Sequence, residues 1–349
     1  MKNVIYFACK SWIRLGLFFY FKKTKILGTE NIPSHKSIVF VGNHQNALLD
    51  SLSVAVNCRR SPYFMSRSDI FRKGFLQFFL NAIRLIPVYR IRDGIGKITG
   101  NYEVFKKTAV LLQKGNSIVI FPEGNHSLKR RVRPLSKGFT RILFAALEEN
   151  PDLDIWLVPV GVNYVNAIHF TDKVFLHFGK AIPVQEYYNA SDKHSSTVKI
   201  KEAVSSSLKT LTTHIEDTAN YDAIERYLNG IDVNYLEPQE VNKKLQNISM
   251  EMVLDSKQLK TKHSFLNKTL DFIFVVANFP MVFVWRKVLK PKVMEKELRS
   301  TVRFLFSLIF FPVFYVFLFL ICCIWLEAEF AFYIIFGYIF LNLMYVKLR

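Results

Sequence analysis

Short apolar runs alternate with amphipathic stretches through the first half of this chain, and long unbroken apolar runs close it. Between about residues 26 and 185, the runs 37–41, 62–65, 85–90, 117–121, 155–161 and 174–178 have the length and β-branched or aromatic content of strands. The stretches between them predict helices over 47–57, 70–83, 101–114 and 136–149. Strands and helices in alternation predict an α/β layered domain.

The flanks read differently. Residues 3–21 are apolar and aromatic, interrupted by Lys10 and Arg14 and followed by Lys22, Lys23 and Lys25. This pattern predicts an amphipathic helix at a membrane surface with a basic border; a core-packing first helix is the competing reading. Residues 190–262 are polar and predict surface helices over about 196–218 and 239–260. The apolar stretch 271–285 is broken by Asn278 and Pro280, too short for an ordinary span, and reads as interfacial or core. Residues 304–325 carry no charge, and at ~1.5 Å per residue they can cross a hydrocarbon layer of about 30 Å. A second apolar run, 330–346, follows Glu327 and Glu329 and ends at Lys347 and Arg349, which predicts a membrane hairpin with cytoplasmic ends. The run 330–346 also has the length of a re-entrant segment. The expected divisions are a membrane-associating helix (1–25), the α/β domain (26–189), a helical extension (190–262) and a membrane-associated region (263–349).

Composition narrows the partners. Forty-seven Lys and Arg stand against 28 Asp and Glu, a formal net charge of +19. Such a balance suits an anionic membrane surface or phosphorylated substrates. No zinc spacing or nucleic-acid module accompanies it, so a nucleic-acid partner is not expected. The four cysteines, Cys9, Cys58, Cys322 and Cys323, show neither metal-ligand spacing nor a disulfide framework, which fits a reducing, cytosol-facing compartment. The first apolar run is short and interrupted, unlike a signal peptide.

Chemistry concentrates at strand ends. His44 and Asp50 follow the run 37–41. Six residues turn a helix through about 600°, so the two meet only if His44 precedes the helix and Asp50 lies in its first turn. The carboxylate then fixes one ring N–H and leaves the other nitrogen as a base. A structural His–Asp pair is the alternative for these two residues alone. No serine nucleophile is evident, so the substrate is expected to bring the hydroxyl. Phe121-Pro122-Glu123-Gly124 ends another strand; its carboxylate can hold a hydroxyl or orient a cation, or be a plain surface turn. Arg90 ends Ile86-Pro87-Val88-Tyr89-Arg90 and can grip a phosphate. Lys129, Arg130, Arg131 and Arg133 form a basic cluster, which also suits a solvated or membrane-facing loop.

Four blocks occur in order: Asn43-His44…Asp50, Ile86 to Arg90, Phe121 to Gly124, and Leu157-Val158-Pro159-Val160-Gly161. Over roughly residues 25–185 the chain resembles the glycerolipid acyltransferase superfamily that includes bacterial 1-acylglycerol-3-phosphate acyltransferase. The resemblance implies an α/β fold with His44 as general base and Asp50 as its orienter. It further implies Arg90 as phosphate ligand, Glu123 and Gly124 at the acceptor site, and the fourth block at the acyl donor. Five residues separate His44 from Asp50 where four are usual in the family, which is similar to the fungal-type glycerol-3-phosphate and dihydroxyacetone-phosphate branch. Asn125-His126-Ser127 replaces a usual Thr-Arg-Ser, so Lys129, Arg130 or Arg131 would supply the missing charge. Lys137 matches a lysine–glycine pair that follows the block in relatives.

The implied activity is acyl transfer from acyl-CoA or acyl-carrier protein, as co-substrate, to the hydroxyl of 1-acylglycerol-3-phosphate, with no metal or resident cofactor. Other acceptors in the same class are glycerol 3-phosphate, dihydroxyacetone phosphate or a lyso-aminolipid. A basic, non-enzymatic membrane-surface protein is the rival from another class. The expected location is integral to a membrane, with the catalytic domain on the cytoplasmic side.

Overall fold

Strand β2 (Ser37–Gly42) is buried along its whole length, as a continuous apolar run requires of a strand covered on both faces. The computed structural model describes residues 2–67, 83–88, 100–255 and 265–349. In it β2 lies between β5 (Ser117–Ile120) and β6 (Ile155–Tyr164), both parallel to it. Beyond β5 come β3 (Tyr63–Arg67) and β4 (Leu85–Val88), also parallel. On the other side β7 (Lys173–Phe178) runs antiparallel to β6, and β8 (Ile182–Pro183) pairs with the start of β6.

Alternate side chains of β2 feed two cores. Ile38 and Phe40 pack with Leu49 and Val54 of α2 (Ala47–Asn57) and with Leu17 and Tyr20 of α1 (Lys2–Tyr20). Val39 and Val41 pack with α3 (Gly100–Gln113), α4 (Gly138–Glu149) and α5 (Lys193–Leu211). The result is helices on both faces of a mostly parallel sheet, the layered α/β arrangement that the alternating pattern predicts. The expected helix over 70–83 falls almost wholly outside the described residues.

Two boundaries differ from the sequence reading. The lysines after α1 form an edge strand, β1 (Lys23–Leu27), parallel to β7, rather than the border of a membrane helix. Only one edge of β1 is paired and four of its five residues are exposed, so it lacks the apolar run that marks the other strands; its lysines blunt the free edge. Helix α5 belongs to the sheet layer rather than to a separate extension, because Ile200, Val204 and Leu208, spaced one turn apart, are fully buried against it. The remaining extension holds α6 (Tyr221–Gly230), α7 (Pro238–Gln246) and α8 (Met250–Asp255), with its own small core of Ile215, Tyr221, Leu228, Tyr235 and Val241.

Helix α1 packs into the core on one face and leaves apolar side chains exposed on another. Leu17 and Tyr20 are buried, while Val4, Phe7, Trp12, Leu15 and Phe18 are exposed. The charges that interrupt it dock it to α2: Arg14 donates to the Val56 carbonyl at 2.6 Å and Lys10 to the Arg60 carbonyl at 2.7 Å. Arg14 satisfies a carbonyl that the end of α2 leaves without a helical partner, and Lys10 one in the loop that follows.

Among the described residues, two helices are long and apolar enough to cross a membrane, α11 (Leu298–Trp325) and α12 (Ala328–Leu348). They form an antiparallel hairpin. Its base stands on the domain: Lys347 donates to the carbonyls of Phe18 and Phe21, both at 2.8 Å, and Lys22 to that of Leu348 at 2.7 Å. Preceding the hairpin, α9 (Phe265–Ala277) and the helical stretch from Phe279 to Lys292, which opens with α10 (Phe279–Phe283), meet at 98°. The break is clasped from α12. Asn278, fully buried, donates to Asn342 Oδ1 at 2.7 Å, and Tyr338 donates to Asn278 Oδ1 at 2.8 Å.

Gly161 offers a test of the β6–α5 contact. A Cβ there would stand 2.4 Å from the Leu211 carbonyl oxygen and 2.7 Å from Leu211 Cβ, against backbone that cannot yield cheaply. Gly161→Ala should cost about 1–3 kcal/mol in denaturant titrations of the purified chain. Gly337→Ala, where the new Cβ meets nothing within 4 Å, should leave stability unchanged or slightly raised.

Candidate active site

The end of β2 is extended by a side chain. Asn43 donates to the Val162 carbonyl at 3.0 Å and accepts from the Val162 N–H at 2.8 Å, continuing the β2–β6 ladder past Gly42. The chain then turns through His44, Gln45 and Asn46 into α2, and Asp50 lies in the first helical turn. Ala47 opens the helix at φ +44°, a left-handed conformation that costs a non-glycine residue on the order of 1–3 kcal/mol. The bonds around Asp50 hold that strain.

Asp50 is completely buried, and three donors meet its carboxylate. Oδ2 accepts from the Asn46 N–H at 2.8 Å and faces His44 Nδ1 at 2.8 Å. Oδ1 accepts from the Tyr164 hydroxyl at 2.8 Å. Burial, and then the adjacent Asp50 charge, push the Tyr164 phenol well above its ordinary pKa, so it serves only as donor here. A buried carboxylate without such partners would be prohibitively costly. With Nδ1–H given to Asp50, His44 Nε2 is left as the basic nitrogen.

The imidazole plane is fixed by a ring. Phe121 stacks on His44 with centroids 4.3 Å apart and planes 15° apart. Gly42 makes room for Phe121, since a Cβ at 42 would lie 2.8 Å from its ring. Phe121 opens a turn closed by the Gly124 N–H on the Phe121 carbonyl at 3.2 Å, with Pro122 second and Gly124 fourth, where those residues favour it. Gly124 has φ +80°, which a glycine adopts freely.

The turn presents Glu123, whose side chain is 2% exposed and paired with Arg133. The Arg133 Nε donates to Oε2 at 3.0 Å and its backbone N–H to Oε1 at 3.2 Å, and its guanidinium also engages Asn125. Burial raises the Glu123 pKa, and Arg133 opposes that shift. Sequence reasoning placed Arg133 in a basic cluster without a role; its ten-residue separation from Glu123 gives no local signal of the pairing.

His126 also escaped the sequence reading. It stands edge-on to His44 with centroids 5.8 Å apart, and its Nε2 faces Glu295 Oε2 at 2.8 Å. Glu295 lies just before α11, so the membrane region reaches the rim of the site. Two further contacts do the same: Ser300 Oγ donates to the Ala167 carbonyl at 2.7 Å and Thr301 Oγ1 to the Asn46 carbonyl at 3.4 Å.

The expected cationic ligands separate. Arg130 is turned into the junction with the extension: it donates to the carbonyls of Tyr164 at 2.8 Å and Val165 at 2.7 Å, and stacks 3.4 Å from the Tyr235 ring centre. Arg131 donates to the Glu216 carbonyl at 3.2 Å. The Lys129 ammonium lies over the Tyr221 ring at 4.9 Å, and Lys137, exposed, precedes α4. Arg90 lies outside the described residues. Among the described residues, no group of three or more His, Cys, Asp or Glu is placed to hold a metal ion.

Comparison with known proteins bears on this arrangement. The family described as Acyltransferase matches residues 23–163. The 1-acyl-sn-glycerol-3-phosphate acyltransferase BAT2, chloroplastic, of Brassica napus is 29% identical over 157 residues, covering 45% of this chain and 43% of its own. Glycerol-3-phosphate O-acyltransferase 1 of Saccharomyces cerevisiae is 25% identical over 119 residues, 33% of this chain and 16% of its own. Each match thus spans less than half of these relatives. A solved structure, the 1-acyl-sn-glycerophosphate (LPA) acyltransferase PlsC from Thermotoga maritima, covers 54% of this chain and 72% of its own at 16% identity and a TM-score of 0.37.

The loop that supports Asn46 contains a titrating group. Asn46 donates to the Ala167 carbonyl at 2.7 Å, and Asp172 closes that loop by accepting from the Asn166 N–H at 2.9 Å. Burial raises the Asp172 pKa from 3.8 to about 6. A carboxyl raised in the folded state contributes stability below its unfolded pKa and loses it as pH climbs through the folded value. Asp172→Asn keeps the acceptor and has no charge to bury. Its stability relative to the native chain should therefore grow between pH 4 and pH 7 by on the order of 3 kcal/mol, read from denaturation midpoints.

Proposed function

Because residues 23–163 match the acyltransferase family, we propose that the chain transfers a fatty acyl group from acyl-CoA or acyl-carrier protein to the hydroxyl of 1-acylglycerol-3-phosphate. The observation that carries this reading is the 2.8 Å contact between His44 Nδ1 and the fully buried Asp50 carboxylate. His44 Nε2 takes the proton of the acceptor hydroxyl as its oxygen attacks the thioester carbonyl carbon. The tetrahedral oxyanion collapses, the carbon–sulfur bond breaks, and His44 returns the proton to the departing thiolate. Asp50 stabilises the imidazolium between those steps.

The acceptor phosphate would be met by Arg90, Lys129 and Lys137, with Glu123 holding Arg133 at the same turn. The yeast glycerol-3-phosphate relative and the five-residue gap between His44 and Asp50 favour glycerol 3-phosphate as the second reading. The enzyme would work at the bilayer, its catalytic domain on the cytoplasmic side, where Arg299, Arg303, Lys347 and Arg349 stand at the hairpin's base.

His44→Ala should lower kcat by about a hundredfold or more while leaving membrane partition unchanged. Near-native turnover in that variant would falsify the assignment of the base. Tyr164→Phe, which removes one donor to Asp50, should lower kcat by about tenfold. Acyl transfer from one labelled acyl-CoA to lysophosphatidate, glycerol 3-phosphate and a lyso-aminolipid, measured side by side, identifies the acceptor; a preference for lysophosphatidate is the expected result.

A further inference from the structure

Between α1 and the membrane hairpin lies a cavity of about 330 Å³. Its walls are Trp12 and Phe19 of α1, Phe304, Ser307 and Phe311 of α11, and Asn342 of α12. All of its lining residues fall outside 23–163, so it is no part of the segment that matches the acyltransferase family. The volume is within the range of small-molecule sites, about 300–1,000 Å³, and exceeds the small packing voids of a protein interior.

The lining selects hydrocarbon. Its walls are mostly aromatic and aliphatic, and of the polar groups that reach it those of Asn342, Tyr315 and Tyr20 have partners already. The Asn342 amide is taken by Asn278 and by the Tyr315 hydroxyl at 3.0 Å; the Tyr20 hydroxyl donates to the Ser300 carbonyl at 3.2 Å. A polar ligand would find only the Ser307 hydroxyl and the Trp12 N–H to replace its hydration, whereas an alkyl chain has no hydrogen bonds to lose. The cavity follows α11 from Phe304 to Tyr315, about 16 Å at 1.5 Å per residue.

Its position ties it to the reaction. Fourteen of the lining residues belong to α1, α11 or α12, the helices with exposed apolar faces, so the cavity lies on the membrane side of the molecule. Its inner end, at Phe304, is one helical turn from Ser300 and Thr301, the residues bonded to Ala167 and Asn46 beside His44. A lipid with its tail in this cavity and its head at the His44 turn would never leave the bilayer to react.

We propose that this cavity holds the acyl tail of the acceptor lipid. This rests on the acyltransferase reading and deepens it: the acceptor is a single-tailed lipid, and the tail is bound by helices outside the catalytic domain. The donor's acyl chain is not the occupant.

The test uses the full chain in nanodiscs and a lysophosphatidate bearing a diazirine near the end of its tail. Irradiation should label α1 or α11 at the lining residues, equally in the native chain and in His44→Ala, because labelling needs no turnover. Ile339→Trp, which narrows the cavity's outer end, should abolish labelling there and raise KM for a palmitoyl-tailed acceptor by about tenfold, what two excluded methylenes are worth, while a decanoyl-tailed acceptor is spared. Phe19→Ala, which enlarges it, should shift preference to longer tails. Opposite shifts from the two variants cannot come from general damage, and the dependence on donor chain length should not change. Labelling outside the cavity, labelling in it with no effect on acceptor-tail preference (an adventitious bilayer lipid), or a shift in donor-chain preference instead would each overturn the proposal. Labelling without acyl transfer to any acceptor would leave the lipid site standing and sink the enzymatic reading.

Discussion

The fully buried carboxylate of Asp50 is the constraint around which this molecule is arranged. A charge in that position must be met by donors from every side, and the donors come from separate parts of the chain. Tyr164 closes the last residue of β6 onto it, the Asn46 N–H closes the turn, and His44 completes the set. Satisfying it determines how far β6 must run past β2, why Asn43 carries the ladder onward, and why Ala47 accepts a left-handed backbone. What the carboxylate costs in desolvation, it returns as a fixed orientation of one imidazole.

Around that point the structure behaves as nested supports. Gly42 leaves space for Phe121, Phe121 sets the plane of His44, and the turn that begins at Phe121 carries Glu123 into its pairing with Arg133. The loop after it is sewn to the His44 turn by the Ser127 N–H on the His44 carbonyl at 3.0 Å. It is sewn to the extension by the Arg130 N–H on the Tyr221 hydroxyl at 2.7 Å and by the Val132 N–H on His214 Nδ1 at 3.0 Å. His214 can accept that bond because burial, with Lys209 nearby, lowers its pKa to about 4. The small helical extension thereby gains a role: it holds the loop that frames the site.

Local patterning made much of this readable. The β2 run, the α2 amphipathic spacing and the His44–Asp50 separation are all set within a few residues, so the strand, the helix and the juxtaposition of the pair follow from local geometry. Features fixed by distant partners were not readable. β1 is a strand only because β7 offers an edge, and α5 is core only because the sheet's far face needs covering. Arg133 and His126 acquire meaning from Glu123 and Glu295, one a turn away and the other 169 residues on. Arg130 was legible as a cation and illegible as a brace, because its acceptors are carbonyls, which every residue carries.

Pro312 sits in the middle of α11, between the hairpin's outer half and the residues that touch the Asn46 turn. Having no N–H, it leaves the carbonyl one turn earlier without its helical partner, and the helix is softest there. A bilayer thicker or thinner than the hairpin loads α11 by fractions of a kcal/mol per Å. That load is absorbed at the soft turn before it reaches Thr301. With the hairpin in membranes of different thickness, the base of the helix would therefore keep its grip on Asn46.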